Sequence, residues 1–322
     1  MLCLTPNANF ATFKVPEALL TKCSAAFPDL GENECSSPEP VILDDSSEAF
    51  ETFVNYLYDS GSSCIFSPEP KLKPVLELLC IAHKYCAEDI EGKAMEIAQK
   101  LIQPNVLESH LINGFTALDV FRAGIAVNSA AISDTAWELV LVMSRSGNLS
   151  DRLLLDEGTR SGRRKYWESA YYQVMLNQGP CICWTRDPAL TDKEHRRLMV
   201  GHARCSTDWE AFQRRIADGN FQALNHPIDY TRAERKNIIF SSSYWPVPYV
   251  SQYRYANVGV DHILPLLARE GLPVWDIVGR LELLKKSAPE VISKYASDTL
   301  LTVRKHFYRY FLLDEDDDYP SN

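Results

Sequence analysis

Residues 41–58 constrain the fold of this chain more than any other segment. They open with a three-residue apolar run rich in β-branched side chains, which predicts a short buried strand. Asp45 follows with Glu48 three residues later, and this pattern predicts an N-cap and its capping-box partner. Apolar residues at helical spacing then predict an amphipathic helix, and they are Phe50, Phe53, Val54 and Leu57. The segment is therefore expected to form a strand, a capped turn and a helix in succession.

Patterned segments continue on both sides of this run. Residues 13–27 read FKVPEALLTKCSAAF, which predicts a strand followed by a helix whose first turn contains Pro16. Residues 79–86 read LCIAHKYC and belong to a second helix. The apolar stripe of that helix consists of Val75, Leu78, Leu79 and Ala82. A further helix is predicted at residues 92–102.

Taken together, these segments resemble a BTB (POZ) domain. The resemblance lies in residues 41–58, in the Phe-x-Val stretch at residues 13–15 with its following leucine pair, and in the Leu-x-x-Ala-x-Lys-Tyr pattern at residues 79–85. Pro16 and Glu17 depart from the family, which usually has His and Lys at these positions. The resemblance implies an α/β (α+β) fold over residues 1–103 that mediates protein assembly rather than chemistry.

BTB domains usually begin with one more strand, often preceded by a helix, and both commonly contribute to homodimerisation. Twelve residues precede Phe13 here, and Pro6, Asn7 and Asn9 among them disfavour a strand. We therefore expect the first strand to be missing, which would leave the domain shortened at its N-terminus. Either Met1 is not the true start, or the sheet has lost a member and exposes an edge. A homo-oligomer is one option, but the usual dimer is not assumed, because its surface would include the missing strand.

The rest of the chain is predicted to be mainly α-helical. Residues 104–145 continue the helical pattern and are similar to the BACK-type extension of adaptor proteins. Residues 144–164 are rich in Ser, Gly, Asp and Arg and predict a linker. The region 146–322 is expected to contain short helices, and those are placed at residues 166–176, 190–198, 209–216, 275–286 and 291–311. This organisation is similar to the large BTB families of mushroom-forming fungi.

Two further segments of the C-terminal region have distinct compositions. Residues 244–249 alternate proline with aromatic side chains and predict an extended segment that either covers a domain joint or presents a binding edge. Residues 314–318 are all acidic and predict a disordered tail.

Composition narrows the classes of function. The chain has 322 residues, 46% of them hydrophobic, and a net charge of −10, which disfavours general nucleic-acid binding because phosphates require a positive surface. Its start lacks the basic and apolar regions of a signal peptide, and its apolar runs are too short to span a membrane. Nine scattered cysteines suit reduced thiols. We expect a cytoplasmic or nuclear protein.

Five residues of the C-terminal half have side chains that zinc accepts as ligands. They are Cys181, Cys183, His195, His202 and Cys205. Their spacing matches no common zinc-finger or zinc-ribbon frame, so core thiols and surface histidines are the favoured interpretation. They are kept as weak candidates for a metal site, and no cofactor is predicted.

Residues 160–215 concentrate basic side chains, with eleven Lys or Arg against six Asp or Glu. This local excess of positive charge suggests either a solvated face or a patch for an acidic partner. Since the run at residues 314–318 is acidic, an intramolecular partner for the basic segment is available within the chain.

Motifs that would indicate catalysis are absent from the sequence. Residues 158–165 superficially suggest a phosphate-binding loop, but three residues separate the glycines instead of four and Arg follows the second. The sequence contains no Gly-x-Ser-x-Gly, His-Glu-x-x-His or Gly-x-Gly-x-x-Gly pattern. We therefore expect a noncatalytic protein.

The favoured hypothesis is a protein-interaction protein. The BTB resemblance implies that it is a substrate adaptor that docks a cullin scaffold of ubiquitin ligases, with residues 150–313 selecting the target. The alternative is a self-assembling or transcription-related scaffold without a ligase link. A remote alternative is a zinc-binding or enzymatic C-terminal region. Sequence alone does not identify any protein-binding residue.

Overall fold

The structure is a computed structural model, and the chain divides into two compact units, residues 1–143 and 144–322. The ranges that it describes are 2–6, 12–24, 26, 41–58, 70–103, 116–178, 189–217, 272–273, 275–288 and 290–313. Most of these residues lie in helices, as expected for the C-terminal region, and strands are few. Within the described ranges, no helix has the length and apolar character needed to cross a membrane.

Short strands and longer helices make up the described part of the first unit. The strands are β1 (Leu2–Pro6), β2 (Phe13–Val15) and β3 (Val41–Leu43). The helices are α1 (Glu17–Cys23), α2 (Ser47–Tyr58), α3 (Leu72–Lys84), α4 (Glu88–Leu101), α5 (Ala117–Ala126) and α6 (Ala130–Arg145), the last of which ends just past the unit boundary.

The strands form one sheet with the order β2-β1-β3. β1 runs antiparallel to β2, with Leu2 opposite Val15, and parallel to β3, with Leu4 opposite Val41. β1 therefore lies at the centre of the sheet. β2 and β3 are its outer strands in the part of the chain that the structure describes.

The expectation that no strand precedes Phe13 is wrong. Strand propensity depends strongly on context, and β1 has hydrogen-bonded neighbours on both sides. Pro6 is the last residue of β1, and its missing N–H costs little at a strand end. Asn7 and Asn9, which also argued against a strand, lie beyond its end and outside the described residues.

The core of the first unit forms where the predicted helical stripes meet. Phe50 and Phe53 of α2 are fully buried, and the Phe53 ring lies 6.4 Å from that of Tyr85. The stripe predicted on α3 is confirmed, since Val75, Leu78, Leu79 and Ala82 are all buried. On α2, Tyr56 is buried and Leu57 is only half-buried, so the buried face is slightly rotated from the predicted one.

Helices account for nearly all of the described second unit. They are α7 (Asp151–Arg160), α8 (Arg164–Gln178), α9 (Asp192–Ala217), α10 (Ile277–Ser287) and α11 (Glu290–Lys305), and a 3-10 turn (Phe307–Tyr310) follows. Large aromatic side chains dominate the core, including Trp167, Tyr171, Trp209 and Phe311, each at most 1% exposed.

Two predictions about the second unit are wrong. The linker expected at residues 144–164 contains α7, because Leu154 and Leu155 give its polar sequence a buried face and Ser150 caps its first turn. The helices expected at 190–198 and 209–216 are one 26-residue helix, α9. The residues between them include buried Cys205 and Asp208, so the segment is covered by packing despite its polar sequence.

Candidate functional site

A polar junction in the first unit joins three of the segments that carried the family resemblance. Asp45 lies in the turn between β3 and α2, and its side chain is only 9% exposed. Lys84 Nζ donates to Asp45 Oδ1 at 2.9 Å, and the Tyr85 hydroxyl donates to Asp45 Oδ2. Ser24, at the end of α1, donates its hydroxyl to the backbone carbonyl of Tyr85. We call Ser24, Asp45, Lys84 and Tyr85 the Asp45 junction.

Charge and burial both favour the hydrogen bonds of the Asp45 junction. Burial, the hydrogen bond to Asp45 and the negative charges of Asp45 and Asp44 raise the pKa of Tyr85, so its hydroxyl stays protonated and donates. Because the Asp45 carboxylate is removed from water, loss of its two donors would leave a buried charge without compensation. The junction therefore holds the turn before α2 against the end of α3.

The capping pattern predicted for α2 is partly wrong. Ser46, not Asp45, caps the helix, because the backbone N–H of Ala49 donates to Ser46 Oγ at 3.1 Å. Glu48 instead accepts from Lys73 of α3 at 3.1 Å. Both side chains of this ion pair are more than half exposed, so it adds little stability. The Asp-x-x-Glu pattern thus bridges α2 to α3 rather than closing a capping box.

The outer strands of the sheet are the candidate sites for backbone pairing with a partner. β1 has a neighbour on each side, so within the described ranges the remaining sheet edges belong to β2 and β3. Tyr58 at the end of α2 is 55% exposed, and its hydroxyl lies 3.5 Å from the carbonyl oxygen of Lys14 in β2. This long contact places an exposed aromatic ring beside the β2 edge.

The structure does not assemble the predicted zinc ligands into a metal site among the residues it describes. His195, His202 and Cys205 all lie on α9, whereas Cys181 and Cys183 fall outside the described residues. In the described ranges, no three His, Cys, Asp or Glu side chains lie together in a way that would hold a metal ion. The His202 ring packs at a tilt against Trp275 with the ring centroids 4.8 Å apart, and burial lowers the pKa of His202.

Cys205 is a core thiol in the second unit. It is fully buried, and burial together with the nearby carboxylates of Asp208 and Asp276 raises its pKa well above the ordinary value. A thiol that stays protonated is both a poor nucleophile and a poor metal ligand. Packing against the helices around α9 is the role that this geometry supports.

Residues of α9 hold the C-terminal end of the described chain. Arg204 Nη1 donates to the carbonyl oxygens of Arg309, Tyr310 and Leu312, at 2.6, 3.2 and 2.8 Å. Asp208 Oδ2 accepts from the Tyr310 hydroxyl at 2.5 Å. Sequence analysis did not single out these residues, although their spacing of four puts both on one face of a helix.

Phe311 completes this attachment. Its fully buried ring lies against Gly201, where any Cβ would overlap the ring. Gly201, Arg204 and Asp208 lie three and then four residues apart and so form one face of α9. We call the contacts of this face with residues 307–312 the C-terminal clasp.

A second polar cluster fixes the start of α10. The Tyr172 hydroxyl of α8 donates to Asp276 Oδ1 at 2.5 Å and accepts from the backbone N–H of Val278 at 3.1 Å. Asp276 Oδ1 also accepts from the N–H of Gly279 at 2.7 Å, which makes Asp276 the N-cap of α10. Burial is the main reason why the pKa of Tyr172 is raised, so this hydroxyl remains a donor.

Two acids of the second unit have pKa values raised toward neutrality. Burial raises the pKa of Asp208 to about 7 against the opposing effects of Tyr310 and of Arg204. Burial likewise raises the pKa of Glu168 to about 7, opposed by Arg164. Perturbed acids often mark catalytic sites, but Asp208 is enclosed in the C-terminal clasp and bonded to Tyr310. Its position supports a role in holding the fold together.

Searches of the chain against protein-family models, curated proteins and solved structures found no match.

Proposed function

We propose that this chain is a noncatalytic protein-interaction protein with an N-terminal BTB-like α/β domain. The observation that carries the proposal is the Asp45 junction. Lys84 and Tyr85 of the stretch 79–86 bind the Asp45 carboxylate of the stretch 41–58, and Ser24 of the stretch 13–27 donates to the backbone carbonyl of Tyr85. These segments resemble parts of one domain in sequence, and they also pack together in the structure. This agreement between sequence and packing supports the proposal.

The sheet gives the proposal a second support. The resemblance implies an additional strand ahead of the Phe-x-Val stretch, and β1 occupies that place in the order of elements. β1 is paired on both sides within its own chain, so a partner strand would have to add to β2 or β3. We accordingly assign protein binding to the first unit.

The specific activity that we propose is that of a substrate adaptor for a cullin-based ubiquitin ligase. The first unit would dock the scaffold, and the second unit would select the target. The test is size-exclusion chromatography of the full chain mixed with a cullin N-terminal region at micromolar concentration. Co-elution is expected for the wild type and for Asp44→Ala, whose exposed carboxylate lies outside the junction. Asp45→Ala should weaken it, and absence of co-elution by the folded wild type would refute the adaptor role.

A self-assembling or transcription-related scaffold is the second proposal. Among the described residues β2 and β3 are the edge strands, which favours this proposal because the backbone groups of an edge strand can pair with a second chain. Multi-angle light scattering of the full chain separates the two proposals. A scaffold should give a concentration-dependent multiple of 36.5 kDa without any cullin. A constant mass of one chain, together with cullin binding, would favour the adaptor instead.

A further inference from the structure

The turn between α3 and α4 has a cysteine at a position where glycine is usual. The backbone N–H of Ala87 donates to the carbonyl of Ala82 at 2.8 Å, and that of Cys86 donates to the carbonyl of His83 at 3.2 Å. These two bonds form a Schellman motif, whose left-handed residue is usually glycine because a Cβ is disfavoured in that conformation. Cys86 is this residue, with a φ of 54°, and its side chain is exposed.

A second cysteine lies across one hydrogen bond of the Asp45 junction. Ser24 donates its hydroxyl to the backbone carbonyl of Tyr85, and the chain neighbours of these two residues are Cys23 and Cys86. Covalent geometry and this hydrogen bond together keep the Cα atoms of Ser24 and Cys86 within about 8 Å of each other. Helix α1, which ends at Cys23, packs against α4, which begins two residues after Cys86. The end of α1 and the α3–α4 turn are therefore adjacent, with one cysteine in each.

The state of both thiols suits a reaction between them. A disulfide joins Cα atoms that are about 4.4–6.8 Å apart, a separation that this adjacency allows. Cys23 is half-buried, and its Sγ donates to the carbonyl of Leu20 at 3.3 Å within its own helix. A thiol is a weak donor, so this bond opposes rotation of the side chain only slightly. Burial raises the pKa of the Cys23 thiol, whereas Cys86 is open to an oxidant in solution.

We propose that Cys23 and Cys86 are a redox modification site and form a reversible disulfide on reaction with glutathione disulfide. The Cys86 thiolate attacks one sulfur of the oxidant, whose S–S bond breaks, and one glutathione leaves as a thiolate. The Cys23 thiolate then attacks Sγ of Cys86 and displaces the second glutathione. The two protons lost by the cysteines go to the two glutathione thiolates. Two protein thiols are thus oxidised, and one glutathione disulfide is reduced to two glutathione molecules.

The disulfide fixes the end of α1 to the α3–α4 turn beside the Asp45 junction. It closes a loop that contains β3, α2 and α3, and it therefore restricts the unfolded chain more than the folded one. Oxidation should stabilise the first unit, and reduction should reverse this effect. The inference concerns a modification of the first unit and does not depend on its proposed binding function.

Peptide mapping of the full chain tests the pairing. The reduced chain is equilibrated with glutathione disulfide, its remaining thiols are alkylated, and it is cleaved after Lys, Arg and Glu. This cleavage places Cys23 in peptide 23–32 and Cys86 in peptide 85–88, apart from all other cysteines. The two peptides should be found linked, with a mass two hydrogens below their sum, and dithiothreitol should separate them. Cys86 that remains bound to glutathione, or that pairs with another cysteine, overturns the proposal.

Serine variants identify the role of each thiol. Cys23→Ser should leave glutathione attached to Cys86, and Cys86→Ser should abolish the link. Cys80→Ser is the matched control, because this half-buried cysteine lies on α3 six residues before Cys86, and it should retain the link. Oxidation in concentrated urea should lower the yield of the linked pair several-fold, since thiols then pair without guidance from the fold. An equal yield in urea would show that the structure does not direct the pairing.

Thermal unfolding gives a second readout. The oxidised wild type should unfold at a higher temperature than the same chain kept in dithiothreitol. Cys23→Ser should lose this difference, because its Cys86 has no partner thiol. A linked wild type with an unchanged midpoint would contradict the stabilising effect of the disulfide.

Discussion

Asp45 and Asp208 are both withdrawn from water, but their carboxylates are compensated to different extents. Asp45 receives the ammonium of Lys84 and the hydroxyl of Tyr85. Asp208 receives the hydroxyl of Tyr310, and Arg204 and Arg215 act on it through space. Burial therefore dominates at Asp208 and raises its pKa to about 7. Near pH 7 the Asp208 carboxyl is therefore about half ionised.

Removal of the Asp45 carboxylate should destabilise the first unit. Asp45→Ala leaves the hydroxyl of Tyr85 without its acceptor, and an unsatisfied buried polar group costs about 1–3 kcal/mol. Urea unfolding monitored by circular dichroism measures this cost. Asp44→Ala removes an exposed carboxylate from the adjacent position and should change stability much less. Equal destabilisation by the two variants would argue against the Asp45 junction.

Asp208 should make the second unit less stable as pH rises. Its pKa is raised from an ordinary value of 3.8 to about 7 in the folded chain, so the folded state holds the proton more tightly than the unfolded state. The stabilisation is complete below about pH 4 and is lost as pH rises through 7, with a total of up to about 4 kcal/mol. Unfolding of the wild type between pH 4 and 8 spans the whole of this change.

Asp208→Asn is the test variant for this pH effect. It keeps an acceptor for the hydroxyl of Tyr310 but cannot ionise, so the contribution of Asp208 to the pH dependence should vanish. Above pH 7 the variant should be more stable than the wild type. Glu210→Gln alters an exposed carboxylate on the same helix and should leave the pH profile unchanged. A wild-type profile in Asp208→Asn would contradict the assignment.

Gly201 should tolerate no side chain. A Cβ at this position would overlap the buried ring of Phe311, and overpacking of a filled core costs about 1–3 kcal/mol. Gly201→Ala is therefore expected to lower the thermal midpoint. Gly92 lies within α4 with open space around it, so Gly92→Ala should stabilise by about 0.5–1 kcal/mol through helix propensity. The two alanine variants should thus shift the midpoint in opposite directions.

Sequence patterns predicted elements well where apolar residues were dense. The stripes on α2 and α3 were placed nearly correctly because periodic burial leaves a strong signal. α7 was missed because its polar residues masked a short buried face, and the middle of α9 was missed because Cys205 and Asp208 are buried without an apolar run. β1 was missed because pairing on both sides stabilises a segment with weak local propensity.

The candidate site was harder to predict from the sequence than the helices and strands were. The four residues of the Asp45 junction come from three stretches that are distant in the chain, and only packing shows that Lys84 and Tyr85 share one carboxylate. The C-terminal clasp had a weaker signal, since the spacing of Arg204 and Asp208 resembles an ordinary solvated helix face. Contacts between distant segments determine which polar residues matter, and a single sequence does not contain them.

The helical nature of α7 can be tested directly. Leu154 is fully buried, whereas Leu153 is half-buried in the same turn. If α7 packs as a core helix, Leu154→Ala should cost about 2–5 kcal/mol and Leu153→Ala clearly less. Chemical denaturation gives both values. A linker would tolerate both changes equally, and such a result would support the linker predicted from the sequence instead of a core helix.

At the scale of the whole molecule, the chain consists of two units with separate cores. Aromatic and aliphatic residues from α2 and α3 form the first core, and Trp167, Trp209 and Phe311 belong to the second. A unit with its own core can unfold while the other unit stays folded.

Hydrogen exchange should show this independence. Asp45→Ala is expected to increase amide exchange within residues 41–103 and to leave residues 151–217 unchanged. Gly201→Ala should have the reverse effect, because it disturbs only the C-terminal clasp. Mass spectrometry of peptic fragments resolves both regions. A variant that increases exchange in both units would show that they unfold together.

The central position of β1 has a consequence for synthesis on the ribosome. β1 and β2 are close neighbours in the chain, so their hairpin can close within microseconds of emergence. The other side of β1 waits for β3, which ends at Leu43. Translation proceeds at about 5–20 residues per second, so β1 keeps one unpaired edge for seconds before β3 emerges. For that interval, the middle of the finished sheet is its edge.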